Sequence, residues 1–374
     1  MRILEVARQF YPKVGGMESC ALNLSRALAA RGHHIEVVTL DRDLQTRAQI
    51  GGPASVDSIP IHRVPWFGSA RYPISPSWLR YARDFDVIHI HATGFFLDSA
   101  ALQKTFGTTP KPFIVTTHGG IFHTTAFQSI KDVYWQSVLR GSLSAASSVV
   151  AVSAADHALF QSIVSPAKLR LIPNGIDAAF SGAETRRARG RIVAVGRVTA
   201  SKRLDTVLRL FAAVANDFPG AELVIAGPVD SDAAETLARE SKALGLDGRV
   251  HIRGATPLPE LVHLVASAHL FVSAALHEGF GITTVESLAA GVPVLVTRTG
   301  VHEEVVRPNM NGWFWSGEPD AQAVATLRDA LLLSDARLDE MQLAARGSAR
   351  PFDWNTATDK YEQLLASACR ESMG

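Results

Sequence analysis

The stretch His277-Glu278-Gly279-Phe280-Gly281-Ile282-Thr283-Thr284-Val285-Glu286 decides how this chain folds. An apolar strand, Leu270–Ser273, is predicted before it, and an amphipathic helix, Thr283–Ala290, is predicted to begin inside it. Glycines let a backbone approach a ligand and present its N–H groups, and a helix N-terminus favours negative charge. A strand, a glycine-rich loop and a helix in this order predict an anion-binding site in an α/β domain.

Two glutamates bracket this loop. Glu278 and Glu286 are separated by seven residues, so they can touch different parts of one elongated ligand. For Glu286 there is a structural alternative, because Thr283 and Glu286 have the spacing of a capping box. The sequence alone leaves both interpretations open.

A second loop carries two positive charges. Arg197 and Lys202 lie between a predicted strand, Ile192–Val195, and a predicted helix, Leu204–Ala215. Two cations in one strand-to-helix loop suit a diphosphate. Ordinary surface charge is the alternative for either residue.

Short apolar segments alternate with amphipathic helical segments along the whole chain, which predicts βαβ units and parallel sheets. In the first half, strands are predicted at Arg2–Val6, Ile35–Leu40, Asp86–Ile90, Phe113–Thr117 and Ser148–Val152. In the second half, further strands are predicted at Leu223–Ala226, Val250–Ile252 and Val292–Thr297. Further helices are predicted at Met17–Ala30, Ala233–Leu244 and Leu258–Ala266.

The segment 177–190 is weakly periodic and rich in small and polar residues, so it is the predicted linker between two domains. These are Rossmann-like domains over residues 1–178 and 190–350, with a last helix at 355–370 expected to pack back on the first. Two such domains would face each other across a cleft at the carboxyl ends of their strands, where ligands bind.

Composition excludes several classes of protein. The chain has 374 residues, of which 47% are hydrophobic and 20% are charged, so a disordered protein is excluded. Its length is sufficient for two domains, each with its own hydrophobic core. A net charge of +1 argues against a nucleic-acid partner. The longest apolar run, 210–215, is far below the roughly 20 residues of a membrane-spanning helix. Because Cys20 and Cys369 cannot form a disulfide framework and no signal peptide is recognisable, a cytoplasmic location is predicted.

Charge is divided unevenly along the chain. Residues 1–178 contain 17 Lys and Arg against 12 Asp and Glu, a balance of +5, and the remainder has −4. Residues 66–83 mix aromatic side chains with arginines, a composition that can rest on a lipid surface or bind an acceptor. Peripheral contact with an anionic membrane is therefore predicted. A chance imbalance, and aromatics packed in the core, are the alternatives.

Two features of the first half are weaker signals. Gly15-Gly16 precedes a predicted helix and by itself favours a plain turn. His118 ends a predicted strand, where it could hydrogen-bond a substrate hydroxyl or carbonyl, although a lone histidine is more often structural.

Metal binding is considered and not predicted. His89, His91 and His123 lie near His118 in sequence, but no carboxylate at a suitable spacing accompanies them. The Asp41-Arg42-Asp43 segment follows a strand and is interpreted as a solvated loop. The sequence therefore predicts neither a metal nor any other cofactor.

At these residues the sequence resembles the retaining glycosyltransferases of family 4, which have the two-Rossmann GT-B architecture. The resemblance covers nearly the whole chain. It rests on Gly15-Gly16-Met17-Glu18, His118, Pro173-Asn174-Gly175-Ile176-Asp177, Gly196-Arg197 with Lys202, Glu278 through Glu286, and Ala289-Ala290-Gly291-Val292-Pro293-Val294. Residues 8–18 are most similar to the bacterial α-mannosyltransferases that extend a lipid-linked glycan in exopolysaccharide assembly. Ala274-Ala275 departs from the family, in which many members carry a serine.

The resemblance implies a role for each matching position. Arg197 and Lys202 would hold the donor diphosphate, with a backbone N–H of Gly16. Glu278 would bind the hydroxyls of the sugar and Glu286 those of the ribose. His118 would contact the sugar from the other domain. The remaining implied contacts are Gly254 near the base and the amides of Gly279, Phe280, Gly281 and Ile282 around the sugar and phosphates.

The implied reaction moves mannose from GDP-mannose to a polyprenyl-diphosphate-linked oligosaccharide, in exopolysaccharide or cell-surface glycan synthesis, at the cytoplasmic face of the membrane. Because no nucleophilic carboxylate is recognisable on the opposite face of the sugar, front-side attack with retained configuration is the hypothesis. The alternatives are another donor such as UDP-glucose or UDP-N-acetylglucosamine, a sugar-nucleotide epimerase on the same fold, and a sugar-binding module without activity.

Overall fold

The computed structural model describes residues 1–13, 15–107, 111–119, 128–184, 186–229 and 231–371. The chain divides into two compact units, one formed by Met1–Gly175 with Trp354–Gly374 and the other by Ile176–Asp353. The segment 177–190 therefore belongs to the second unit, where it contains a short helix.

The first unit is built on an eight-stranded sheet with the strand order β10-β9-β8-β7-β1-β2-β4-β3. All neighbours in it are parallel except β3 and β4. Its strands are β1 (Arg2–Ala7), β2 (His34–Leu40), β3 (Ser55–Val56), β4 (Ile59–Val64), β7 (Val87–His91), β8 (Phe113–Thr116), β9 (Ser148–Ala151) and β10 (Leu169–Leu171), and a separate hairpin pairs β5 (Phe67–Gly68) with β6 (Pro73–Ile74).

The helices of the first unit cover both faces of this sheet. They are α1 (Gly16–Ala30), α2 (Leu79–Ala82), α3 (Phe95–Phe106), α4 (Gln128–Tyr134), α5 (Arg140–Ala145), α6 (Ala154–Phe160) and the last helix α15 (Trp354–Glu371), with a 3₁₀ turn at Pro76–Trp78 and a π-helical turn at Trp135–Leu139. Helix α15 packs on α1 and on β7 and β8, and it buries Tyr361 and Leu365 in the core of this unit.

The second unit is built on six parallel strands in the order β13-β12-β11-β14-β15-β16. They are β11 (Arg191–Val195), β12 (Glu222–Ala226), β13 (Val250–Ile252), β14 (Leu270–Ser273), β15 (Val294–Val296) and β16 (Gly312–Phe314). Its helices are α7 (Ala178–Ser181), α8 (Leu204–Ala215), α9 (Ser231–Ala243), α10 (Leu258–Ala266), α11 (Ile282–Ala289), α12 (His302–Val305), α13 (Ala321–Leu332) and α14 (Asp335–Ala349).

The predicted α/β class with two parallel sheets is confirmed. Besides the two-residue strands β3, β5 and β6, the sequence missed β4, β10 and β16. Strand β4 contains Pro60, which normally argues against a sheet interior, and here it lies near the sheet edge beside β3. The other two strands have three residues each, too few to show a period.

The aromatic side chains of residues 66–83 lie mainly in the core, the second of the two interpretations that the sequence offered. Trp66 is 2% exposed and Trp78 is fully buried, so neither faces a lipid surface. Phe67 is the exposed exception, at 60%. None of the helices in the described ranges has the length and hydrophobicity that crossing a bilayer requires.

Candidate active site

The glycine-rich loop of residues 274–281 joins the carboxyl end of β14 to α11, near the centre of the second sheet. The neighbouring strand β11 ends in the loop that carries Arg197 and Lys202. A backbone bond from the Leu276 N–H to the Ser201 carbonyl, 2.9 Å long, ties the two loops together. The two strongest sequence motifs therefore meet at one edge of one sheet.

Lys202 donates from its Nζ to Oε1 of Glu278, so the cation and the first glutamate are in direct contact. The two side chains remain partly exposed, at 21% for Lys202 and 15% for Glu278. The Glu278 N–H also donates to Oγ1 of Thr299 at 3.2 Å. Arg197 follows Gly196 in the same loop as Lys202, and its side chain is exposed.

The loop backbone is supported from behind by the segment after β15. The Val301 N–H donates to the Phe280 carbonyl at 2.7 Å, and a Cβ on Gly300 would lie 2.5 Å from that carbonyl oxygen. Gly281 has φ +100°, and a Cβ there would lie 2.8 Å from Nε2 of His302. Both positions therefore require glycine.

His302 is fully buried and holds this support in place. Its Nδ1 donates to the Thr297 carbonyl at 2.7 Å, and its Nε2 accepts from the Thr284 hydroxyl at 2.8 Å. Burial lowers the pKa of His302, which keeps the ring neutral and suited to one donor and one acceptor.

Helix α11 begins at Ile282, and Gly281 in the left-handed region is its N-cap residue, without a capping side chain. Thr283 is therefore inside the helix, and the proposed capping box with Glu286 is wrong. Glu286 lies in the second turn, not in the first. The Thr284 N–H already donates to the Gly281 carbonyl at 3.0 Å, which leaves the N–H groups of Ile282 and Thr283 as the ones at the start of α11 without a capping side chain. The side chain of Phe280 is buried.

Glu286 is part buried beside Asp177, the N-cap residue of α7, and the helices α7 and α11 pack together. Burial, together with the negative charge of Asp177, raises the pKa of Glu286 to about 8. This carboxyl is therefore largely protonated at neutral pH, and it can both donate and accept hydrogen bonds.

Gly254 follows β13 at the same carboxyl edge of the second sheet. Its carbonyl accepts from the Gly227 N–H at 2.7 Å and from the Thr256 hydroxyl at 3.2 Å. It is thus two strands away from β11 in the sheet, on the side opposite to β14.

In the first unit, two of the predicted residues follow strands β1 and β8, which lie on either side of β7. Gly16 is the first residue of α1, after β1, and no side chain caps this helix. His118 follows β8 with φ +52°, an unusual conformation outside glycine, and its side chain is partly exposed. Nε2 of His118 lies 3.1 Å from Nδ1 of His91.

Behind His118 lies a carboxylate that the sequence did not reveal. Oε2 of Glu5 accepts from Nε2 of His91 at 2.7 Å and lies 2.9 Å from Nδ1 of His89. Among the described residues these three could hold a metal ion, since their ligand atoms lie within 4.8 Å of one another. The sequence argument that no carboxylate accompanies the histidines is therefore wrong, while His123 lies outside the described residues.

The Asp41-Arg42-Asp43 segment is not the solvated loop that was expected. Asp43 is 8% exposed, pairs with Lys13 at 2.5 Å and accepts from the N–H groups of Gln45 and Thr46. Although burial alone would raise it, these bonds lower the pKa of Asp43 to about 2. The side chain thus closes a turn.

Glu5, Thr299 and His302 are the residues of these sites that sequence reasoning missed. Glu5 had one usable signal, since it is the only charged residue within the apolar run from Ile3 to Ala7. The other two follow β15 without a motif, and only the fold brings them to the glycine-rich loop.

Two families match this chain, one on each half. The family described as Glycosyltransferase Family 4 matches residues 14–180, and the family described as Glycosyl transferases group 1 matches residues 181–348. A GDP-mannose:cellobiosyl-diphosphopolyprenol alpha-mannosyltransferase of Xanthomonas campestris is 33% identical over 96% of this chain and 95% of its own length. The enzyme with the same name from Komagataeibacter xylinus is also 33% identical, over 97% and 92%.

Solved structures are similar in fold. A crystal structure of Anabaena HepE in complex with UDP and glucose has a TM-score of 0.76 at 20% identity, covering 98% of this chain and all of that one. Sucrose-phosphate synthase from Thermosynechococcus elongatus also has a TM-score of 0.76 at 20% identity, covering 98% and 99%. The predicted GT-B fold is thereby confirmed.

Proposed function

The chain belongs to the glycosyltransferases of family 4, and on this basis we propose that it transfers mannose from GDP-mannose to a polyprenyl-diphosphate-linked oligosaccharide. Two relatives carry that donor and a diphosphopolyprenol acceptor in their names, and each matches more than nine-tenths of both chains. The product would be a lipid-linked intermediate of an exopolysaccharide or another cell-surface glycan.

The contact between Lys202 and Glu278 is the observation that carries this proposal. It joins a cation suited to phosphate and a carboxylate suited to sugar hydroxyls in one partly exposed pair, at the N-terminus of α11. A nucleotide sugar presents a diphosphate next to a ring of hydroxyls, so both side chains can exchange their present contact for a ligand contact.

The chemical step builds negative charge on the departing diphosphate. Lys202, Arg197 and the N–H groups at the start of α11 would stabilise that charge, together with a backbone N–H of Gly16. Each such preorganised donor is worth about 3–4 kcal/mol of barrier in other enzymes. With this much positive potential supplied by the chain itself, the proposal needs no metal ion or other cofactor.

The remaining residues would hold the other parts of the donor. Glu278 and the amides of residues 279–282 would bind the sugar, Glu286 the ribose hydroxyls, and Gly254 would lie near the base. We further propose that His118 contacts the sugar. Attack by the acceptor hydroxyl on the side of the leaving group, with a phosphate oxygen taking the proton, would retain the configuration.

A panel of nucleotide sugars tests the donor. GDP-mannose at about 100 times its Kd should stabilise the protein by about 2.7 kcal/mol, and UDP-glucose and UDP-N-acetylglucosamine at the same concentration should stabilise it far less. Larger stabilisation by a UDP-sugar would overturn the choice of donor. Release of the epimerised sugar without any acceptor would overturn transferase activity altogether.

Product analysis tests the reaction. Incubation with GDP-mannose and a polyprenyl-diphosphate-linked oligosaccharide should lengthen the acceptor by one hexose with an α-anomeric proton in the NMR spectrum. A β-linked product would contradict retention. Glu240→Ala and Lys242→Ala on the exposed side of α9 should leave the yield unchanged and serve as matched controls for variants of Glu278 and Lys202.

We also propose that the first unit contacts the anionic inner face of the cytoplasmic membrane while the rest of the protein remains in the cytoplasm. The positive balance of residues 1–178 favours this, and so do two exposed apolar side chains one turn apart on α3, Leu102 at 60% and Phe106 at 80%. Vesicles with anionic lipid should carry the protein upward in flotation, and changing both residues to Ser should reduce this. Leu343→Ser, at a site 73% exposed in the second unit, is the control. Flotation that is equal with neutral vesicles would contradict the proposal.

A further inference from the structure

A continuous polar line runs through the interior of the first unit and ends at His118. Glu5 lies on β1, His91 on β7, and His118 follows β8, so three adjacent strands contribute one side chain each. Glu5 is fully buried and His91 is 2% exposed, whereas His118 is partly exposed. The line therefore connects a buried carboxylate to a residue that a ligand can reach.

The carboxylate of Glu5 determines which nitrogen of His91 carries the proton. Oε2 of Glu5 lies 2.7 Å from Nε2 of His91 and 2.9 Å from Nδ1 of His89, so two imidazole nitrogens face one carboxylate oxygen. An ionised carboxylate only accepts hydrogen bonds, so Nε2 of His91, 2.7 Å away, must carry the proton. A neutral imidazole that donates from Nε2 has its lone pair on Nδ1, the atom that faces His118.

His91 in turn determines which nitrogen of His118 carries the proton. Since Nδ1 of His91 accepts, Nε2 of His118 at 3.1 Å must donate. The neutral ring of His118 carries one proton, and this contact places it on Nε2. Its remaining nitrogen, Nδ1, is left without a proton and can only accept.

The hydrogen bonds on the His89 side of the network are oriented in the same way. Nδ1 of His89 faces the Glu5 carboxylate, so its Nε2 accepts from the Thr116 hydroxyl at 2.8 Å. That hydroxyl in turn accepts from the Tyr361 hydroxyl at 3.0 Å. Oε1 of Glu5 and Nδ1 of His89 are buried without a hydrogen bond of good geometry, so the bond from Nε2 of His91 is the one that orients the carboxylate.

We propose that Glu5 and His91 are positioning residues that hold His118 in its Nε2–H tautomer, so that its Nδ1 accepts a hydrogen bond from a hydroxyl of the donor sugar. Only the choice of ligand rests on the proposed function, because the tautomer follows from contacts inside the first unit. The consequence is specificity for a sugar that presents a hydroxyl, not merely an acceptor atom, at this nitrogen.

The first experiment measures the tautomer without any substrate. The full-length protein is labelled with ¹⁵N-histidine, and the two His118 signals are assigned by their absence in His118→Ala. Wild-type protein should show a protonated Nε2 and an unprotonated Nδ1. A protonated Nδ1 on His118, or a stoichiometric metal ion that occupies Nε2 of His91, would overturn the proposal.

Two aromatic substitutions on opposite sides of Glu5 form a matched pair. His91→Phe removes the acceptor of the His118 proton, so both tautomers of His118 should become populated. Tyr361→Phe removes only the far end of the network and should leave the His118 signals unchanged. An unchanged tautomer in folded His91→Phe would overturn the positioning role.

The second experiment measures hydroxyl recognition with donor analogues that each lack one sugar hydroxyl. The wild type should discriminate against one analogue by about three- to tenfold in kcat/KM. His118→Ala and His91→Phe should lose that discrimination while Tyr361→Phe keeps it. A uniform fall in rate for every donor would mean a merely structural role and overturn the proposal. The NMR experiment uses no donor, so it tests the tautomer of His118 even if GDP-mannose proves to be the wrong donor.

Discussion

In the second unit, Lys202 and Glu278 pair at a loop where they remain 21% and 15% exposed, whereas in the first unit Glu5 and His91 pair where neither exceeds 2%. A partly exposed ion pair is worth little to stability, since water replaces it at small cost. A buried pair cannot exchange partners without leaving an unpaired charge. On the proposed function the two units would have different roles, the second supplying charge to the ligand and the first supplying a fixed orientation.

The largest effect should come from removing Lys202, the cation that is proposed to exchange its contact with Glu278 for a ligand. Lys202→Ala should lower kcat about 10²–10³-fold because a preorganised charge at the departing diphosphate is lost. Its melting temperature should stay close to that of the wild type, since the pair is partly exposed. Steady-state kinetics and a thermal melt check both, with Lys242→Ala as the control. A large loss of stability would show that this pair is structural, like the one in the first unit.

The second largest effect should come from the glycine-rich loop that carries Glu278. Gly281→Ala should destabilise the protein by about 2–4 kcal/mol, because it combines a positive φ with a contact 2.8 Å from His302. Gly248→Ala also has a positive φ but no neighbour within 4 Å, so it should cost only about 1–2 kcal/mol. Urea titrations measure both. Equal losses would mean that His302 moves aside freely and does not support the loop.

Glu286 is intermediate between the two kinds of site, since it is part buried and, within the part of the chain that the structure describes, no ion pair with a cation is formed by it. Its pKa is about 8 in the folded state against about 4.5 unfolded, so the fold favours its protonated form. The stability from this group is present below pH 4.5 and is lost as the pH rises to about 8. Glu286→Gln should therefore gain about 1–2 kcal/mol over the wild type across that window, after allowance for solvent screening. Melts from pH 4.5 to 8.5 check this, and Glu240→Gln should show no such trend.

The smallest effect should come from Tyr361, at the end of the buried hydrogen-bond network. Tyr361→Phe should cost about 1 kcal/mol, because the Thr116 hydroxyl loses one buried donor. Transferase activity should be preserved. A loss of activity in the folded variant would mean that the terminal helix contributes to the reaction, not only to the core.

The sequence was informative wherever the signal was local. The glycine-rich loop at residues 277–286, the cations of the preceding loop and most strands were predictable from neighbours in the chain. The start of the helix was predicted to within one residue, but its cap was not, because Gly281 in the left-handed region takes the N-cap position instead of Thr283. The partners of His118 were not either, since Glu5 is more than eighty residues from His91 and only strand order brings them together.

If Lys202 binds the diphosphate and Glu278 the sugar, as proposed, their mutual contact has a consequence for ligand selection. Inorganic phosphate alone would draw away the lysine and strand an anionic carboxylate beside a second anion. A free sugar alone would occupy the carboxylate and leave the ammonium group without a counter-charge. Only a molecule with both a diphosphate and a sugar would then satisfy both side chains, so this one contact would favour the intact donor over its fragments.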